Sequence, residues 1–246
     1  MAIEKIKVGA VSYLNTKPLI YGFSAGMLKE QLELISDYPS HIAAMLLNNE
    51  IDVGLVPIAI LPRLKEAYIL TDHCIGSEGP VGSVCLFSEL PLDQVEKVLM
   101  DYQSRTSVQL AKLLLRDHWK INPVVEDACE DFREHIKGTT AGLVIGDRAF
   151  EQRLVSKYIY DLGETWKIHS GLPFVFAAWV ANKQLPASFV QEFQQATAYG
   201  LQHLDKVIAE NPYDKYDLHT YYTKNISFAL TEEKRRGMEV FLASIL

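Results

Sequence analysis

Apolar and polar positions along this chain alternate between two periods. Apolar runs of strand length are followed by stretches whose apolar residues lie three and four apart, the helical spacing. IKVGAV (6–11) reads as a strand, and KPLIYGF begins a short helix. LELISDY (32–38) is a second strand. PSHIAAMLLNNE (39–50) carries apolar residues at 42, 45 and 46 behind a Pro-Ser start, which predicts a helix. IDVGLVP (51–57) is a third strand, ended by Pro57. Strand-helix-strand-helix-strand is the grammar of a mostly parallel sheet with helices on its faces.

The second third repeats it. VGSVCLFSE (81–89) and KVLMDY (97–102) read as strands. SRTSVQLAKLLLRDHW (104–119) is the clearest helix, with an apolar stripe at 108, 110, 111, 114 and 115. PVVE, a short helix over 130–137, AGLVIG (141–146), a helix from Asp147 to about Ser156, a strand near KYIYDL and a helical turn at 164–166 continue the pattern. GLPFVFAAWVA (171–181) is a long apolar strand. Beyond it the chain reads mainly as helix over 186–210 and 230–246, with a polar, Tyr-rich stretch between.

No Ser/Gly linker interrupts the pattern, yet two strand-helix sets suit two lobes. The expected division is residues 1–82 plus 177–246 for one lobe and 83–176 for the other. Two crossings of this kind describe a two-lobed α/β clamshell with mixed sheets. Its ligand cleft would lie between the lobes, at the carboxyl ends of the strands.

Composition narrows the partners. The chain has 246 residues, 48% of them hydrophobic, enough for one large core or two smaller ones. Acidic residues outnumber basic ones by 31 to 24, and no basic run occurs, which argues against nucleic acid. A small anionic ligand stays open, because the field in a cleft can oppose the net charge of −7. The apolar run in MAIEKIKVGAVSYLN is too short for a signal peptide, and no run of membrane-spanning length occurs. A cytoplasmic location and no membrane partner are expected. Cys74, Cys85 and Cys129 form no CxxC and no HExxH is present, so buried thiols are expected in place of disulfides or zinc. GxGxxG, GxxxxGK[ST] and GxSxG are absent.

Candidate chemistry sits where strands end. SYLN (12–15) would form a polar loop at the cleft edge, in which Asn15 offers an acceptor and two donors; alternatively Ser12 or Asn15 caps the helix behind it. Ser40 opens a helix directly after a strand, where free N–H groups attract anions or where a Ser simply caps. SRTS (104–107) crowds Ser104, Arg105, Thr106 and Ser107 at one helix start, more than a single cap needs, and reads as a carboxylate-binding cluster. Asp147 after Gly146 is either an N-cap or a carboxylate pointing into the cleft. Ser83 follows Gly79, Pro80 and Gly82 at the proposed crossing, as part of a hinge or as a ligand hydroxyl.

Several stretches, taken in order, resemble one family. SYLNTKPL (12–19), YPS (38–40), IDVGLVP (51–57), SRTS (104–107), IGDRA (145–149), DLGETW (161–166) and GLPFVFAAW (171–179) are similar to the chorismate dehydratases of menaquinone biosynthesis, which open the futalosine pathway. The likeness runs from about residue 6 to 180, and the helical tail carries little motif. It implies a type II periplasmic-binding-protein-like fold working as a hydro-lyase. Chorismate, a dicarboxylate, would lose water to give 3-[(1-carboxyvinyl)oxy]benzoate, with no metal or organic cofactor. On this reading Ser104, Thr106, Ser107 and the N–H groups of their helix hold one carboxylate, with Arg105 as a further candidate. Ser12, Ser40 and Ser83 bind elsewhere on the substrate. Asn15 orients proton transfer at the ring, and the proton goes to Asp147 or to a carboxylate of the substrate.

Two other readings share the fold. A non-catalytic solute-binding protein for a small organic acid would bind without turnover. The related 1,4-dihydroxy-6-naphthoate synthase is expected to carry a His at the strand end where this chain has Gly146-Asp147.

Overall fold

The apolar runs become the inner strands of two sheets in a computed structural model that describes residues 5–128 and 130–245, so Cys129 lies outside the described residues. The first sheet contains β1 (Ile6–Val11), β2 (Leu32–Asp37), β3 (Val53–Pro57), β4 (Tyr68–Ser77), β10 (Phe174–Ala181) and β11 (Ser227–Ala229). The second contains β5 (Val84–Ser88), β6 (Lys97–Met100), β7 (Val124–Asp127), β8 (Thr140–Ile145) and β9 (Tyr158–Asp161). Their orders are β11-β4-β10-β3-β1-β2 and β7-β6-β8-β5-β9. β1 runs parallel to both β2 and β3, whereas β10 returns antiparallel between β3 and β4. In the second sheet β6 is parallel to β7 and β8, and β5 is antiparallel to β8 and β9. β3 and β5 are buried along their whole length, which is why they read as unbroken apolar runs.

The helices are α1 (Lys17–Ser24), α2 (Pro39–Leu47), α3 (Thr106–Asp117), α4 (Asp147–Arg153), α5 (Leu162–Ser170), α6 (Ala187–Leu201), α7 (Leu204–Glu210), the single turn α8 (Leu218–Thr220) and α9 (Glu232–Ile245). The turn expected at 164–166 is the middle of the longer α5. Asp161 starts it by accepting the Gly163 and Glu164 N–H groups, and Gly171 ends it in the left-handed region at φ 74°.

The chain leaves the first sheet at Ser77 and enters the second at Val84. It returns with Phe174, so residues 174–176, expected in the second lobe, belong to the first sheet. Phe174 and Val175 pair with Ser77 and Gly76 of β4, which fixes them there. Asp161 braces the outward crossing, accepting the Val81 N–H at 3.0 Å and the Gly82 N–H at 2.7 Å.

Two strands escape the sequence pattern. β4 carries Thr71-Asp72-His73 in its middle, and its pairing with β10 shifts register between Cys74 and Ile69. There the Thr71 hydroxyl bonds the His73 backbone on both sides, at 3.1 and 3.2 Å, so a bulge absorbs the polar residues. β11 is only three residues long inside the Tyr-rich stretch. Cys74 and Cys85 are buried free thiols. Among the described residues, no helix is long and apolar enough to cross a membrane.

Candidate functional site

A cavity opens between the two sheets. Val11, Pro57 and Ile145-Gly146 bring the carboxyl ends of β1, β3 and β8 to its wall. Pro39 and Ser107 bring the N-terminal turns of α2 and α3. Leu55, Ile75, Val84, Phe176 and Ala177 make the rest of the surface largely apolar. Its polar groups are few: Tyr13, Asn15, Ser104 and Ser107. No lining side chain is a formal charge at neutral pH. An anion here is met by hydroxyls, an amide and the N–H end of α3, whose partial positive charge favours it by about 0.3–1 kcal/mol.

The sequence-predicted residues separate into two groups. Asn15, Ser104 and Ser107 face the cavity. Ser104 also caps α3, its hydroxyl accepting the Ser107 N–H at 3.0 Å. The others lie outside the lining. Arg105 is exposed and borders a separate outer groove with Lys112 and Asp127. Thr106 turns toward the first lobe, where its hydroxyl accepts the Ala59 N–H at 3.1 Å. Ser12 is exposed. Ser40 donates to the Tyr102 carbonyl at 3.2 Å, joining α2 to the second lobe. Ser83 is buried, with the Tyr221 hydroxyl 2.7 Å from its own.

Asp147 is neither a simple cap nor a cavity-lining group. Its carboxylate accepts the Leu14 N–H at 3.1 and 3.3 Å, which ties α4 to the loop before Asn15. Burial pushes its carboxyl up to about 6, opposed by the Leu14 hydrogen bond and the Lys17 charge. Beside it, Gly146 sits at φ 64°, and a Cβ there would meet the Tyr13 ring at 2.8 Å. Glycine leaves room for that ring and accepts the positive φ.

Tyr13 closes one side of the cavity through a network that the sequence did not reveal. Its hydroxyl donates to Gln103 Oε1. Arg148 Nη2 donates to the same oxygen at 2.9 Å and to both oxygens of the buried Asp101 at 2.8 and 2.7 Å. Burial raises the Tyr13 phenol well above its ordinary value, so it stays protonated. Among the described residues, no group of three or more His, Cys, Asp or Glu side chains is placed to hold a metal ion.

Two lobes enclosing a neutral-donor cavity at their strand ends define the class: a periplasmic-binding-protein-like fold. Solved structures agree. Protein AF1704 from Archaeoglobus fulgidus superposes with a TM-score of 0.77 at 15% identity, covering 98% of this chain and 96% of its own. The Candida albicans CA3427 product, described as having the generic periplasmic binding protein fold, gives 0.61 at 14% identity over 97% and 90%. The sequence profile of the Menaquinone biosynthesis family matches residues 6–245, and the chain belongs to that family. A chorismate dehydratase from Thermus thermophilus is 27% identical, covering 97% of this chain and 94% of its own.

Proposed function

We propose that this protein is a chorismate dehydratase, a hydro-lyase converting chorismate to 3-[(1-carboxyvinyl)oxy]benzoate and water. The observation that carries the reading is the cavity: apolar walls for a six-membered ring, and Asn15, Ser104 and Ser107 with the α3 N-terminus for a carboxylate. Kinship to the Thermus dehydratase over nearly the whole chain supports it.

The reaction removes the ring hydrogen on the carbon bearing the enolpyruvyl ether and the hydroxyl on its neighbour. The C–H electron pair becomes a ring π bond as the C–O bond breaks, and the proton leaves with the hydroxyl as water. Aromatisation drives it, so the protein needs to orient the substrate and assist one proton transfer. Tyr13 is the one ionisable side chain in the lining, and it is held as a phenol. It therefore cannot serve as the base. Asp147 is turned onto the Leu14 N–H. We accordingly assign the proton first to a carboxylate of the substrate, with Asn15 hydrogen-bonding at the reacting edge and Asp147 holding the Asn15 loop. Water exclusion by the apolar walls strengthens those contacts.

The test is to mix the purified protein with chorismate and follow products by chromatography and mass. Loss of one water at a rate proportional to enzyme is expected. Binding without turnover would instead make it a solute-binding protein for an organic acid.

A further inference from the structure

Behind the cavity wall, just beyond β6 of the second lobe, Gln103 meets Tyr13 of the first. Tyr13 lines the cavity and Gln103 does not. Each polar group of Gln103 has a partner. Its backbone N–H donates to Asp101 Oδ1 at 3.0 Å, and its carbonyl accepts the Ser40 N–H at 3.2 Å. Nε2 donates to the Tyr102 hydroxyl at 2.8 Å, and Oε1 takes both Tyr13 and Arg148. The neighbours are anchored in turn. The Ile145 N–H donates to Asp101 Oδ2 at 3.1 Å, and the Arg148 guanidinium stands over the Tyr102 ring, 5.3 Å from its centre.

These contacts fix the direction of the Tyr13 hydrogen bond. A guanidinium only donates, so the amide atom facing Arg148 is the oxygen. The phenol that shares this oxygen must donate to it. A phenol has a single proton, and here it is committed to Gln103. Toward the cavity Tyr13 therefore offers its ring and no donor for a carboxylate. Among the lining side chains, the donors left for an anion are Asn15, Ser104 and Ser107.

We infer that Gln103 is a specificity-determining residue that acts through Tyr13: by holding the phenol proton away from the cavity it makes the tyrosine an apolar wall, leaves the substrate carboxylate to Asn15, Ser104 and Ser107, and so sets which way round the substrate lies. Released from Gln103, the same hydroxyl would compete for the carboxylate, a contact worth about tenfold or more in affinity. Substrate would then bind in a second, unreactive orientation. The inference rests on the dehydratase reading for its kinetic test, and on geometry alone for its structural one.

Gln103→Met keeps the length of the side chain and removes the amide. With chorismate turnover first established for the unaltered protein, kcat should fall about threefold or more and KM by the same factor, because substrate bound the wrong way occupies the site without reacting. Adding Tyr13→Phe removes the competing hydroxyl and should raise kcat again by at least about twofold. A smaller fall in kcat, a KM that stays or rises, or a kcat that Tyr13→Phe does not raise overturns the inference. If Gln103→Met does not fold, Tyr13→Phe alone decides. KM for chorismate should then change less than about threefold, and a larger rise would show the phenol donating to the ligand, which overturns the inference. If the unaltered protein does not dehydrate chorismate, the dehydratase reading fails, and carbon NMR of tyrosine labelled at Cζ still tests where the proton is held. In mixed ordinary and heavy water a hydroxyl bound to Gln103 exchanges slowly. The Tyr13 signal, identified by its loss in Tyr13→Phe, should therefore appear as two lines, and one averaged line overturns the inference.

Discussion

The SYLN loop after β1 and the SRTS segment before α3 look alike in sequence: four residues, mostly polar, where a strand gives way to a helix. In the structure they behave differently. SYLN is an irregular loop leading into a 3-10 turn, and its parts are held from several directions. Tyr13 is tied to Gln103, Leu14 to Asp147 and Tyr222, and Asn15 to Thr16. SRTS enters a regular helix, and helical geometry disperses it. At about 100° per residue, positions three apart share a face and the positions between them turn away. Ser104 and Ser107 therefore face the cavity together, while Arg105 points out and Thr106 reaches Ala59. A polar cluster on a loop can converge on one ligand; the same cluster on a helix divides its tasks.

The largest effect should come from the converging side. Asn15→Ala removes the side-chain amide from the cavity wall. A positioned hydrogen-bonding group at the reacting atoms is worth roughly 10²–10³ in rate. kcat on chorismate should fall by about that factor, with ligand affinity changed far less. Normal turnover in the folded variant would take Asn15 out of the chemistry.

On the helix, Ser107→Ala should act on binding. It removes a cavity hydroxyl without disturbing the Ser104 cap, which uses the Ser107 backbone N–H. Loss of one hydrogen bond to a charged group costs about 1.5–3 kcal/mol. The dissociation constant for chorismate, or KM, should rise about tenfold or more. An unchanged value measured by calorimetry would move the carboxylate elsewhere in the cavity.

Asp147 belongs to the loop's support, and its contribution is legible in pH. Its carboxyl sits at about 6 in the folded protein against an ordinary 3.8. Between these values the folded protein keeps a proton that the unfolded chain has released. Stability from this group is therefore greatest at low pH and falls as pH rises through about 4 to 6. Asp147→Asn should flatten that part of the stability-pH curve, read by denaturant unfolding at several pH values. Retention of the full slope in the variant would assign it to other groups.

How much of this was legible follows the same division between local and distant. β1 to α2 to β3 could be read because each element states its own period. β4 could not, since its bulge places polar residues where the pattern requires apolar ones. Strand ends could be located, and with them Asn15, Ser104 and Ser107. The partners that hold the loop at Leu14 could not, because Asp147 meets Leu14 across 133 positions and Tyr222 meets it across 208. No local spacing encodes such a contact. Arg148 was hidden likewise: its partner Asp101 is 47 positions away on another element. The direction of each side chain in SRTS was the intermediate case, since it needed the exact residue at which the helix begins.

That last point gives the smallest expected effect and the sharpest check on the comparison. Arg105 is the one cation in SRTS, and charge alone makes it the natural partner for a carboxylate. Position argues otherwise. It is exposed, borders the outer groove with Lys112 and Asp127, and is absent from the cavity wall. A solvated charge is screened within about 10 Å at ordinary salt. Arg105→Ala should leave kcat and KM within about twofold, since exposed charges contribute about 0–1 kcal/mol. A tenfold rise in KM that vanishes at high salt would show Arg105 acting on the ligand through its field. A tenfold rise that survives salt would mean that Arg105 swings into the cleft when ligand is bound, and the division of SRTS into two faces would hold only for the empty protein.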